Sequence, residues 1–100
     1  MACDRVVALN VIDEDAYQQY RNRTADLLAE DGGQRLYDFR VSEALTSAAS
    51  HPINRVFLIR FPDEETMVAY FADDTYRSAR AAHFEDAVAG ATLIGAYAAE

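Results

Sequence analysis

Lysine and tryptophan are absent from this chain, and cysteine, histidine, proline and glycine are scarce, at one, two, two and four residues. Without lysine, Schiff-base catalysis and lysine-anchored pyridoxal phosphate are excluded whatever the fold. The lone Cys3 cannot close an internal disulfide, so stability does not call for an oxidising compartment and a cytoplasmic location is expected. His51 and His83 do not stand at H-x-x-x-H spacing and there is no C-x-x-C, so neither a metal nor any other cofactor is expected. Four glycines form no phosphate-cradling loop, and no nucleophile elbow surrounds Ser42, Ser47, Ser50 or Ser78. The first apolar run, Val6 to Ile12, is interrupted by Asn10 and is far shorter than the roughly 20 residues of a membrane span. Neither a signal peptide nor a membrane contact is therefore expected.

What is present is the composition of one globular domain, expected to occupy residues 1–100: 51% hydrophobic and 26% charged. All nine basic residues are arginine, against seventeen acids, for a net charge of −8. That balance opposes phosphate backbones and anionic membranes, so no nucleic-acid partner is expected. Complete use of arginine over lysine suggests a bacterial source with a GC-rich genome.

"RVVALNVI" at 5–12 reads as a β-strand, and Asp13 as the N-cap of a helix over about 14–30. Tyr17, Tyr20, Thr24, Leu27 and Leu28 recur there at helical spacing, and Gly32-Gly33 supplies the stop. A second strand is expected over 34–41, with Arg35, Tyr37, Phe39 and Val41 on one face and Gln34, Leu36, Asp38 and Arg40 on the other. "RVFLIRF" at 55–61 is the third strand, closed by Pro62. Asp63 caps a second helix whose apolar set is Met67, Val68, Tyr70 and Phe71. "ADD" at 72–74 breaks it before a further helical segment over about 75–88, and "ATLIGAY" at 91–97 is the last strand.

The order β-α-β-β-α-β points to an α+β ferredoxin-like sandwich, a four-stranded antiparallel sheet with both helices on one face. The third strand then raises a difficulty. Arg55, Phe57, Ile59 and Phe61 share one face, and Asn54, Val56, Leu58 and Arg60 share the other, so large apolar side chains remain on whichever face the helices leave open. The first strand behaves alike, with Val7, Leu9 and Val11 against Val6, Ala8 and Ile12. Leaving such side chains in water forgoes roughly 1.5–3 kcal/mol each. A homodimer through the open sheet face is expected, with the same face of a second subunit as cover.

Further residues carry a resemblance. Tyr17 and Tyr20 on the first helix, Gly32-Gly33, Glu43 and Leu45 after the second strand, Arg55 leading into "FPD" at 61–63, and Tyr76 beyond a broken helix resemble the domain of unknown function 1330 family, part of the dimeric α+β barrel superfamily. The resemblance covers nearly the whole chain. It implies a ferredoxin-like protomer and a homodimer whose sheets form a barrel, and no established reaction. Two departures stand out: the glycine-rich turn often found in the family's second strand is missing, and His83 occupies a position on the last helix that often carries arginine.

For chemistry, His83 stands seven residues after Tyr76 and three after Arg80, so the three share a helix face and could meet in a cleft against the sheet. His83 and Tyr76 are the candidate catalytic residues, the former as a general base. Arg60, Arg80, Tyr37 and Asn10 are the candidate ligand-binding residues, Arg60 and Asn10 because they are polar within apolar strands, and Tyr37 because Arg35 or Arg40 flanks it. Each also has a structural reading, as an ion pair, a core aromatic or a surface histidine. Asp73-Asp74 and Glu64-Glu65 read as helix caps and dipole partners. The third strand loosely mimics an RNA-recognition strand through Arg55, Phe57 and Phe61, but the glycines of that motif are missing and the net charge has the wrong sign. The expected function is binding or conversion of a small organic, anionic molecule between sheet and helices. In enzymatic form, this resembles the cofactor-free oxygenases, isomerases and cyclases of similar barrels. The alternative is a noncatalytic dimerisation or interaction module with a filled barrel.

Overall fold

The computed structural model describes residues 1–99. Its elements are β1 (Ala2–Val11), α1 (Glu14–Glu30), β2 (Gln34–Arg40), β3 (Arg55–Phe61), α2 (Glu64–Ala72), α3 (Asp74–Ala79), a π-helical turn at Arg80–Phe84, the short α4 (Glu85–Ala87) and β4 (Val88–Ala99). Three aspartates start the helices: Asp13, Asp63 and Asp73 accept hydrogen bonds from the backbone N–H groups of Ala16, Thr66 and Thr75. The four strands form one antiparallel sheet in the order β2-β3-β1-β4, the arrangement expected of the ferredoxin-like fold.

Strands β1 and β3 lie at the centre, and their register sorts the side chains. Cys3, Arg5, Val7 and Leu9 stand opposite Phe61, Ile59, Phe57 and Arg55 on the helix side, while Asp4, Val6 and Ala8 stand opposite Arg60, Leu58 and Val56 on the open side. Leu9, Ile59 and Phe61 are buried against Tyr17, Tyr20 and Leu28 of α1 and Tyr70 of α2. Tyr70 lies 5.3 Å from Phe61 and 4.9 Å from Tyr76, ring centre to ring centre and tilted to both, so the core is largely a cluster of inclined aromatic rings. Val68, counted with the apolar set of α2 from its sequence, faces solvent instead. Ile12 likewise lies beyond the end of β1 and is exposed, not part of that strand's inner set.

The faces of β2 differ from the simple alternation of its sequence. Arg35 stands opposite Ile59 and Tyr37 opposite Leu58, so Leu36 is an extra, unpaired residue and the pleat slips by one. Arg35, Asp38 and Arg40 therefore share the helix side, and Tyr37 and Phe39 share the open side with Gln34. β4 carries two such irregularities against β1 and is longer than the seven residues its apolar run suggested.

The bulge lets Asp38 meet Arg55. The Arg55 guanidinium donates to both Asp38 carboxylate oxygens, from Nε at 2.7 Å and Nη2 at 3.1 Å, and lies over the Tyr17 ring at 4.9 Å. Arg21 and Arg35 approach the same carboxylate at 3.1 and 3.4 Å, and Glu14 in the first turn of α1 accepts from Arg55 at 3.3 Å. Burial pushes the Asp38 carboxyl up, but the hydrogen bond and charge of Arg55, with Arg21 and Arg35, outweigh it and hold the group below the usual carboxylate range. A buried arginine is tolerated when it is paired in this way. The ion pair ties β2, an edge strand, to β3 and to the start of α1.

Between β2 and β3 the chain runs through residues 41–54 and returns by Asn54, whose carboxamide accepts from Val11 N–H and donates to Val11 C=O, both at 2.8 Å. His51 donates from Nδ1 to the Pro52 carbonyl at 2.7 Å and accepts from the Thr92 hydroxyl at Nε2, 2.8 Å away. Its ring lies where a Cβ on Gly90 would stand, so only glycine fits there.

Gly32 ends α1 with φ at +76°, and a Cβ there would stand 3.0 Å from Pro62 Cγ. The left-handed conformation costs an L-residue roughly 1–2 kcal/mol. Gly32→Ala is therefore expected to lower unfolding stability by about 1–2 kcal/mol, read as a reduced urea midpoint at unchanged slope.

Candidate functional site

Between the helix side of the sheet and α1, α2 and the segment 76–84 lies a cavity of about 270 Å³. Its buried members are Leu9 and Ile59 from the sheet with Tyr20, Tyr70, Tyr76 and Phe84 from the helices. Arg80, Ala91 and Leu93 are its exposed members, which places the mouth between β4 and the π-helical turn. Arg5, Arg35, Phe57 and Phe71 line the intermediate depth. A second hollow, about 310 Å³, lies outside α1 against the start of β2. Its walls include the exposed Gln18, Asn22, Ala25 and Ala29, and it lacks the buried aromatic lining of the first.

The π-helical turn shapes the wall. Glu85 N–H donates to the Arg80 carbonyl, the wide spacing of this helix type. In a regular α-helix, residues eight apart drift by roughly 80° around the axis. The wider turn takes up that drift, so that Tyr76, Arg80 and Phe84 all line the cavity. No simple periodicity in "RAAHF" announces it.

Each of the three lining arginines rests on a lining phenylalanine: Arg5 over Phe71 at 5.0 Å, Arg35 over Phe57 at 4.5 Å and Arg80 over Phe84 at 4.3 Å. Arg35 is matched by Asp38. Among the described residues, Arg5 and Arg80 form no ion pair, and the lining contains no carboxylate. Tyr20 and Tyr76 are joined through their phenol oxygens at 3.2 Å, and Arg80 Nη1 donates to the Tyr76 oxygen at 3.4 Å. Burial, followed by the neighbouring phenols, pushes Tyr20 far up. Burial likewise pushes Tyr70 up to about 12, against an opposing hydrogen bond with Thr24. These two phenols are neutral hydrogen-bonding groups, not bases, in ordinary conditions.

Of the six residues singled out from the sequence, only Tyr76 and Arg80 meet in this cavity. His83 does not line it, and its Nε2 accepts from Arg23 at 3.1 Å on the exposed side of α1. Arg60 is on the open sheet face, held by Asp4 in a two-point pair at 2.7 and 2.8 Å. Tyr37 is also on that face, 5.8 Å from Phe39 in a stacked arrangement, and Asn10 pairs with Gly90 near its far end. The sequence reading did not single out Arg5, Tyr20, Tyr70 or Arg35 for the cavity. A signal was present for Arg5, which shares its strand face with Val7 and Leu9. Among the described residues no three metal-ligating side chains come together, and no helix is long and apolar enough to cross a membrane.

The family model of the domain of unknown function DUF1330 matches residues 5–97. A protein of unknown function from Rhodopseudomonas palustris superposes with a TM-score of 0.78 at 19% identity, over 96% of this chain and 80% of that one. A DABB family protein with a ferredoxin-like fold from Mesorhizobium loti gives 0.70 at 11% identity, over 99% and 97% of the two chains. A dimeric ferredoxin-like protein of unknown function from Thermobifida fusca gives 0.63 at 14%, over 99% and 92%. A search of the curated proteins finds no match. At these identities the likeness is one of fold.

The raised phenols have a consequence at alkaline pH. In the unfolded chain a tyrosine ionises near pH 10, whereas Tyr70 in the fold holds its proton up to about 12. The unfolded state loses the proton first, so stability is expected to fall as pH rises above about 10. The fall should be shallower in Tyr70→Phe, measured by urea unfolding at pH 8, 10 and 11.

Proposed function

This chain belongs to the DUF1330 family, and from that premise we propose that it works as a homodimer joined through the open sheet face and binds a small organic anion in the cavity between sheet and helices. The observation that carries the reading is the charge of the cavity wall. In a chain of net charge −8, the lining gathers three arginines and no acid. Arg5 and Arg80 have rings beneath them and, among the described residues, no carboxylate to satisfy them. Charge-assisted hydrogen bonds of this kind contribute about 1.5–3 kcal/mol each. The apolar body of the occupant would rest on Phe57, Phe71 and Phe84. If conversion accompanies binding, its form is an oxygenase- or isomerase-like reaction without a cofactor, with Tyr76 in contact with the substrate and His83 outside the cavity.

The dimer part rests on the open face. Tyr37, Phe39 and Tyr97 are 56%, 54% and 57% exposed there, beside the half-buried Val6, Val56 and Leu58. Structural relatives described as dimeric support association as such. Arg60, Asn10 and Tyr37 belong to this seam in the proposal, with Asp4 neutralising Arg60 so that the pair can be covered at modest cost.

Two measurements test the reading. Light scattering at micromolar protein is expected to give a dimer, and Leu58→Arg a monomer; a monomer at every wild-type concentration overturns the dimer. Titration calorimetry with benzoate is expected to show binding that weakens about tenfold or more in Arg5→Gln and in Arg80→Gln. Benzamide binding as tightly as benzoate overturns the anion preference.

A further inference from the structure

Counting protons on the two joined phenols leads one step further, resting on the anion-binding reading above. The Tyr20 and Tyr76 hydroxyls share a single hydrogen bond at 3.2 Å, and the Tyr76 oxygen also receives the Arg80 N–H at 3.4 Å, so of the two phenol protons one is left over. That remaining proton has no acceptor among the described residues: no carbonyl, carboxylate or amide oxygen is bonded to either phenol. Tyr76 is 5% exposed and lines the cavity, so an acceptor for this proton has to come from whatever occupies the cavity. Buried O–H groups are seldom left without a partner. A phenol that accepts two hydrogen bonds is moreover a stronger donor, because each one draws charge from its oxygen.

We infer that Tyr76 is a direct ligand contact and that its O–H, together with the adjacent Arg80 guanidinium, forms the head-group site for a carboxylate. The two donors lie side by side and can each serve one oxygen of a planar carboxylate. Tyr20 does not touch the ligand in this arrangement; it is a positioning residue that occupies the Tyr76 lone pair and thereby turns the Tyr76 proton outward. Thr24 fixes Tyr20 in turn, donating its hydroxyl to the Tyr20 carbonyl at 2.8 Å within α1. A sulfonate spreads its charge over three oxygens and is a far weaker base and hydrogen-bond acceptor than a carboxylate, so the Tyr76 O–H selects carboxylates over sulfonates at the same site.

The test uses the wild-type protein with benzoate and benzenesulfonate as probes, followed by calorimetry. Benzoate is expected to bind about tenfold more tightly than benzenesulfonate, to weaken about tenfold in Tyr76→Phe, and to weaken less than threefold in Tyr20→Phe. In tyrosine-labelled wild-type protein, the Tyr76 Cζ resonance is expected to shift on adding benzoate, a readout that needs no variant. Benzoate affinity unchanged in a folded Tyr76→Phe, or an unmoved Tyr76 resonance at saturation, overturns the inference. If Arg5→Gln and Arg80→Gln still weaken benzoate, the anion-binding reading survives that failure. If they too are without effect, both fall.

Discussion

A sheet that is apolar on two sides needs two covers, and this requirement organises the molecule. Leu9, Ile59 and Phe61 on one face are sealed by the rings of Tyr17, Tyr20 and Tyr70, and that seal is the core. Val6, Val56 and Leu58 point the other way, with Tyr37, Phe39 and Tyr97 standing over half exposed around them. Because side chains alternate along a strand, neither face can be made polar without rebuilding the other. The helices satisfy one side within the chain. In the proposed dimer the open side is covered by the same face of a second copy, an isologous pair of identical sheets.

The seal on the helix side is incomplete over the edge of β4, and the cavity occupies the gap. Its position follows from two local departures from regular geometry. The unpaired Leu36 turns Arg35 and Asp38 to the same side, so that Arg35 is neutralised and Arg5 and Arg80 are the cavity cations without an acid of their own among the described residues. The π-helical turn then brings Phe84 beneath Arg80. Both are single-residue irregularities, and both act by rotating side chains rather than by adding new ones.

That is also where sequence and structure part company. The order of elements, the three aspartate caps, the glycine stop and the doubly apolar third strand were legible, because caps, left-handed turns and two-residue alternation are local properties of the chain. The slip at Leu36 was not: "QRLYDFR" alternates as well without it, and only pairing with β3 decides which side Asp38 takes. Arg55 stood in view as a cation on an inward face, yet its partner lies seventeen residues away on the strand whose register was misread. Of the residues that line the cavity, Tyr76 and Arg80 were grouped by helical spacing. His83 was grouped with them by the same spacing, but the wide turn directs it to Arg23. Arg5, Tyr20 and Tyr70 come from three different elements and meet only through tertiary packing, which no spacing in one segment encodes.

The guanidinium-on-phenyl stacks bear on the cost of binding. Arg5 and Arg80 are seated on Phe71 and Phe84, so little of their side-chain freedom remains to be surrendered to an occupant of the proposed site. Preorganisation of this kind lowers the entropic cost of ordering a site, so that contacts with the proposed anion would translate into affinity instead of arranging the site's own side chains.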